Sequence, residues 1–211
     1  MDGLARVLDF QEQNTVWSLA VGRPKKFDPD VAVAQAMETF RVNGYAETSP
    51  QRLAGSLGIG KGSLYHTFGS KQELFLLSLQ HYANTSLADF KSIVEGAAPI
   101  RDRIRHLLIG VIDTDLNDPD RCGCLVVNSA VELARDESAA RLLRRSFDAT
   151  ESVLHTEFVA AQWAGEIAAD RDPKALAGLV QSSMIGLRVL VKTTVDRSRL
   201  ESIVQATVAA I

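Results

Sequence analysis

The sequence predicts an all-α protein, a three-helix N-terminal head containing a helix-turn-helix joined to a larger helical body, about nine helices in all. Three observations carry that prediction. Apolar residues recur at three- and four-residue spacing along most of the 211 residues, while no segment alternates apolar and polar positions between hairpin turn pairs. Helix-opening signals stand where the first stripes begin, at Asp28-Pro29-Asp30, Ser49-Pro50 and Ser70-Lys71-Gln72-Glu73. Two short helical stretches are separated only by Gly58-Ile59-Gly60, the length signature of a helix-turn-helix. The expected organisation is a tail over 1–22, a head over 23–71 and a body over 72–211.

The first head helix opens at the Asp28 cap, buries Ala32, Ala36, Met37 and Phe40 on one stripe, and closes at Asn43-Gly44. Ser49-Pro50 starts the second, which turns Leu53 and Leu57 inward, and Gly58 ends it as a left-handed C-terminal residue. A third runs from about Lys61 to Phe68. The capping box at Ser70 opens a long fourth helix, with Leu74, Phe75, Leu77, Leu79 and Tyr82, that continues to about Gly96 and connects head to body. In the body, Ile104, Leu107, Leu108, Val111 and Ile112 form a stripe between Pro99 and the Asn117-Asp118-Pro119 break. The segment RCGCLVVNSAVELA is more uniformly apolar. Glu137 to Trp163 carries Leu142, Leu143, Phe147, Val153, Leu154 and Phe158 at helical intervals, Asp170 to Pro173 interrupts, and two last helices span about Lys174–Lys192 and Ser198–Ile211.

Composition narrows the function. An apolar content of 46% supports a packed core. No apolar run approaches the ~18 residues of a membrane span, and the N-terminus scatters acids where a secretory signal is basic and then apolar, so a soluble cytoplasmic protein without membrane partners is expected. The formal charge of −3 is unevenly spread: Arg23 to Lys71 holds 7 Lys and Arg against 4 Asp and Glu, net +3, leaving −6 elsewhere. That asymmetry points to an anionic partner for the head. Cys122 and Cys124 are too close for an easy disulfide and lack the further ligands of a zinc site; they read as buried thiols or as a redox or electrophile sensor.

The stretch Gly55 to Lys61 spells G-x-x-x-x-G-K, the outline of a phosphate-cradling loop. A phosphate loop needs Ser or Thr after its Lys and a strand before it; here Gly62 follows Lys61 and a helical pattern precedes. The dinucleotide fingerprint fails as well, because Ser63 stands where its third Gly belongs. As a helix-turn-helix, every residue has a place. With Leu64 and Phe68 inward, the 100° step turns Gly62 and His66 outward and puts Ser63 and Tyr65 on the flanks. Gly62 permits close backbone approach to DNA, Ser63 and His66 supply hydrogen bonds, and Lys61 reaches a phosphate or a guanine. Thr48, Ser49 and Lys71 stand at helix starts, where free amides and the dipole favour a phosphate, although each also serves as an ordinary cap. Arg23, within Gly22-Arg23-Pro24-Lys25-Lys26, is a candidate minor-groove arm.

The run FDPDVAVAQAMETFRVNGYAETSPQRLAGSLGIGKGSLYHTFGSKQELF closely resembles the DNA-binding head of TetR/AcrR-family transcriptional regulators, with the match covering about Phe27 to Leu79. The resemblance implies base or phosphate contacts for Lys61, Gly62, Ser63, Tyr65 and His66, and phosphate contacts for Thr48 and Lys71. It implies a ligand-binding and dimerisation role for the body, a double-stranded operator as partner, and a homodimer. GCLVVNSAVELA and the two terminal apolar helices resemble the family body more loosely; the tail and Cys122 are departures from it.

For the body, two apolar stripes are assigned to a four-helix dimer interface: Leu176, Leu179, Val180, Ser183 and Leu187, with Leu200, Ile203 and Val204. Completing the monomer's own core is the alternative use of the same stripes. Candidate residues for an effector pocket are Tyr82, Phe90, His106, Cys124, Asn128, Phe158, Trp163 and Met184. No metal spacing, catalytic arrangement or cofactor motif is present, so neither metal, cofactor nor enzymatic activity is expected. The reading is a ligand-responsive repressor released from a pseudo-palindromic operator by a small molecule. The alternatives are a DNA-binding protein without an effector, against which a body cavity above about 300 Å³ would argue, and a nucleotide-binding enzyme built on the Gly55–Lys61 loop.

Overall fold

The computed structural model describes residues 27–211. Among these, nine helices and no strand are found: α1 (Pro29–Asn43), α2 (Pro50–Ser56), α3 (Lys61–Phe68), α4 (Lys71–Val94), α5 (Ile100–Asn117), α6 (Leu125–Glu132), α7 (Glu137–Trp163), α8 (Pro173–Leu190) and α9 (Arg197–Ala209). Arg23 and its neighbouring lysines lie outside the described residues. No helix among the described residues is long and apolar enough to cross a membrane.

The helix starts follow from local chemistry. Side-chain oxygens of Asp28, Ser49, Ser70, Asp136, Asp172 and Asp196 accept from backbone amides of the first turns of α1, α2, α4, α7, α8 and α9. At α4 the Ser70 oxygen accepts from the Glu73 amide at 3.0 Å and its hydroxyl donates to the Glu73 carboxylate at 2.9 Å; the Ser70 amide donates to the Phe68 carbonyl, so the reciprocal backbone half of the expected capping box is not made. Gly58, at φ 63°, lets the chain leave α2 in the left-handed region and enter α3 three residues later, at Lys61.

Two apolar clusters fill the molecule. One locks Phe40, Leu53, Leu64, Phe68, Leu74 and Phe75 of the head together and continues into Leu125, Val126, Val127 and Leu143 of α6 and α7. The other joins α5, α7, α8 and α9 around Ile104, Leu108, Leu154, Phe158, Val180 and Val204. The 24-residue α4, about 36 Å long at 1.5 Å per residue, belongs to both: its first half packs on the head, and Phe90 and Val94 pack in the body.

This packing corrects the assignment of the dimer interface. Leu176, Val180, Leu187, Leu200 and Val204 are buried in the protein's own second cluster, with Ile203 packed against it. Ser183 accepts a hydrogen bond from the Thr207 hydroxyl at 3.0 Å, which ties α8 to α9. Of the eight, only Leu179 is exposed, at 39%. The two stripes pack instead on one another and on α5 and α7 of the same chain.

Candidate nucleic-acid interface and body cavity

The head holds α3 by its inner side. Leu64 is fully buried and Phe68 nearly so, while the amide of Ile59 donates to the Ala54 carbonyl at 3.0 Å and closes the turn. Lys61, Gly62, Ser63, Tyr65 and His66 are all exposed on the other side. Among the described residues, the side chains of Lys61, Ser63, Tyr65 and His66 make no hydrogen bond, so their donors and acceptors are free. A Cβ built on Gly62 would meet nothing within 4 Å. The protein's own packing therefore gives no reason for glycine there; a close-approaching external surface does.

The flanking positions divide. Ser49 is exposed, with its hydroxyl oxygen accepting from Arg52 N at 3.1 Å. Thr48 is a correction: it is fully buried, and its hydroxyl donates to the Gly44 carbonyl at 2.6 Å, so it braces the α1–α2 turn and cannot meet a phosphate. Lys71 is half-buried: its Nζ donates to the Tyr45 carbonyl at 2.9 Å and lies 4.1 Å from the centroid of the Tyr45 ring, which fixes it at the start of α4 with further donors to spare. The Tyr45 ring in turn packs edge-on against Phe75. Gly55–Lys61 joins the end of α2 to α3, with no strand before it, contrary to what a phosphate loop requires.

Head and body are joined by polar ties. The Glu132 carboxylate, at the end of α6, accepts from the Tyr45 and Ala46 amides at 3.0 and 2.6 Å. Arg41 of α1 donates to Asp118, beyond α5, at 2.7 Å and is also bound by Glu38. That hydrogen bond to Arg41 holds the Asp118 carboxyl below the usual carboxylate range. Gln72 donates to Asp136, the cap of α7, at 2.8 Å.

A cavity of about 520 Å³ lies among α4, α5, α6, α7 and α8. Tyr82, Phe90, Cys124 and Met184 stand on its wall. The other four expected pocket residues do not. His106 and Trp163 face solvent, Trp163 being 87% exposed; the Asn128 amide donates to the Cys122 carbonyl at 2.7 Å; Phe158 is sealed in the second apolar cluster. Both cysteines are buried free thiols, and burial pushes the Cys122 thiol up. The ligand atoms of Asp118, Asp120 and Cys122 lie within 4.8 Å of one another, but the Asp118 carboxylate already accepts from Arg41 and from the Asp120 and Cys122 amides.

Sequence reasoning missed the cavity's polar end. Arg188 of α8 donates through Nη1 to both oxygens of Asp115 of α5, at 3.0 and 3.3 Å. Burial pushes the Asp115 carboxyl up while Arg188 pulls it down, with the net shift upward. Burial likewise pushes the Tyr82 hydroxyl well up, reinforced by Cys124 beside it. The signal was available: Asp115 continues the inward stripe of Leu108, Val111 and Ile112, and a charge at such a position calls for a buried partner.

The family model for "Bacterial regulatory proteins, tetR family" matches residues 32–77, and the "Tetracyclin repressor-like, C-terminal domain" model matches residues 101–207. The chain is 31% identical over 194 residues to an uncharacterized HTH-type transcriptional regulator, YezE, of Bacillus subtilis (strain 168), covering 90% of this chain and 100% of that one. The chain belongs to the TetR family. TetR-family membership makes it a DNA-binding transcriptional regulator. The HTH-type transcriptional repressor ComR of Escherichia coli (strain K12) is 24% identical over 188 residues, covering 88% of this chain and 90% of the relative. Among solved structures, a cysteine-substituted form of the TetR-family regulator CifR complexed with double-strand operator DNA superposes with a TM-score of 0.79 at 30% identity, covering 90% of this chain and 99% of that one. The reduced form of E. coli NemR shares the fold at a TM-score of 0.77 and 16% identity, covering 85% of this chain and 94% of that one.

Proposed function

We propose that this TetR-family protein is a homodimeric repressor that binds a pseudo-palindromic operator through α3 and leaves it when a small molecule fills the body cavity. The observation that carries the DNA half is the exposed outer face of α3, whose polar side chains have no hydrogen-bond partner among the described residues and whose Gly62 keeps open space around it. One short helix reads few bases, so two copies on successive major grooves, ~34–36 Å apart, are the arrangement that yields specificity. The two-fold contact is assigned to the outer side of α8, where Ala175, Leu179, Ser182 and Val189 are exposed at helical spacing.

The cavity supports release by an effector over a DNA-binding protein without one. Its walls include α4, which spans head and body, and α6, which carries Cys124–Val127 at one end and Glu132 at the other. A guest that shifts α6 moves the carboxylate that holds the Tyr45–Ala46 amides, and with it the head. Such a guest must bind the non-DNA-binding state more tightly; tight binding alone shifts nothing. Cys124, on the cavity wall, gives the same site a second entry for a signal, modification of its thiol by an oxidant or electrophile.

Footprinting the dimer on the DNA upstream of its own gene tests the reading. A protected pseudo-palindrome is expected, erased by an effector, with affinity falling steeply with salt. Indifference to every duplex at low salt would end the proposal.

A further inference from the structure

We propose that the body cavity takes an organic acid, with its carboxylate on the free edge of Arg188 and its apolar part among Phe90, Val111, Phe147 and Met184. This rests on the reading of the cavity as the effector site. Arg188 carries its charge at the cavity wall with the side chain only 21% exposed. Asp115 engages Nη1 alone. Among the described residues no protein acceptor meets Nε or Nη2, and neither is a buried orphan, since the single buried unpartnered side-chain atom is Nε of Arg103. Both therefore keep some accessible surface, on a residue that lines the cavity.

The Nε–Nη2 edge of a guanidinium presents two parallel N–H bonds, and a carboxylate is the planar two-oxygen acceptor that matches them. A single carbonyl or hydroxyl would leave one of those donors unpaired in a largely desolvated place, which is costly. Asp115 does not compete for the edge, because it lies on the far nitrogen. Arg41, on another part of the wall, is already divided between Glu38 and Asp118 and offers no comparable edge. Away from the pole Phe90, Val111, Phe147 and Met184 supply apolar wall, interrupted by Thr85, Ser86, Asp89 and Thr150. A cavity of about 520 Å³ falls within the ~300–1,000 Å³ of small-molecule sites and suits an aryl or medium-chain carboxylic acid.

Titration calorimetry of the full-length protein with two acid–amide pairs tests this: naphthalene-2-carboxylate against its carboxamide, and octanoate against octanamide. At least one acid is expected to bind about tenfold or more tightly than its amide, the worth of a charge-assisted hydrogen-bond pair. Arg188→Met brings the acid down to the amide's level and leaves the amide unchanged. Arg188→Lys, which keeps a charged partner for Asp115 but not the fork, lowers the preference by about threefold or more. Equal binding of acids and amides, or a preference untouched by Arg188→Lys, overturns the carboxylate assignment while leaving the cavity as an effector site. If none of the four compounds binds, both the assignment and that reading fall.

Discussion

Helices α3 and α8 place opposite demands on their two faces. In α3 one face is sunk in the head, through Leu64 and Phe68, and the other is exposed and polar, with side chains that make no hydrogen bond among the described residues. In α8 the buried face of Leu176, Ala177, Val180 and Leu187 joins the body core, and the opposite face is exposed but made of Ala175, Leu179, Ser182 and Val189. A polar free face is comfortable in water and waits for a charged, hydrated partner. An apolar or small-residue free face is not, and waits for a protein surface. In the proposed function the contrast separates the helix assigned to DNA from the helix assigned to pairing with a second copy.

Two substitutions on α8 break the contrast most sharply. Leu187→Ala, on the buried face, should cost ~2–5 kcal/mol in denaturant unfolding. Leu179→Glu, on the exposed face, should leave the subunit folded by circular dichroism but weaken dimerisation by about 2 kcal/mol or more in sedimentation. A dimer indifferent to Leu179→Glu would move the interface elsewhere. On α3, Gly62→Ala should lower operator affinity roughly tenfold, a loss of about 1.4 kcal/mol. Since its new methyl group meets nothing within 4 Å, stability should hold or rise by up to about 1 kcal/mol. Unchanged DNA affinity would remove the close approach assigned to that position.

Two smaller effects probe the joint between these regions. Glu132→Ala removes the acceptor of the Tyr45 and Ala46 amides, so hydrogen exchange at both should speed up, with a cost of about 1 kcal/mol. Unaltered exchange would show that α6 does not hold the head through this carboxylate. The smallest effect is acid-dependent. Arg41 depresses the Asp118 carboxyl in the folded protein, so its contribution is complete above the unfolded value and fades as pH falls through the folded one. The melting-temperature gap between wild type and Asp118→Asn should therefore be constant from about pH 7 to 5 and close under stronger acid; a gap unaffected by acid would remove Asp118 from this link.

The head was legible because its information is local. Ser49 and Ser70 cap their own helices, Gly58 takes its own left-handed turn, and the 100° step sorts Leu64 from His66 without reference to any distant residue. The partner of Lys71 was not legible, because the carbonyl and ring that hold it belong to Tyr45, 26 positions away. Thr48 escaped this logic because burial of the α1–α2 turn is a property of the packed head.

In the body, periodicity identified the apolar stripes but not what covers them. Val180 and Leu200 look alike whether a second copy or the same chain lies opposite, and here the same chain does. Aromatic character drew attention to Trp163 and Phe158, yet one is at the surface and the other sealed in the core. The cavity owes its polar end to Asp115 and Arg188, which meet across 73 positions. By itself the sequence determined the helices, their caps and turns, and which side of each is apolar, because these depend on neighbours within a turn or two. Tertiary structure alone decided which apolar sides meet, which charges pair and where space is left, because those depend on the few long-range contacts that close-packing permits.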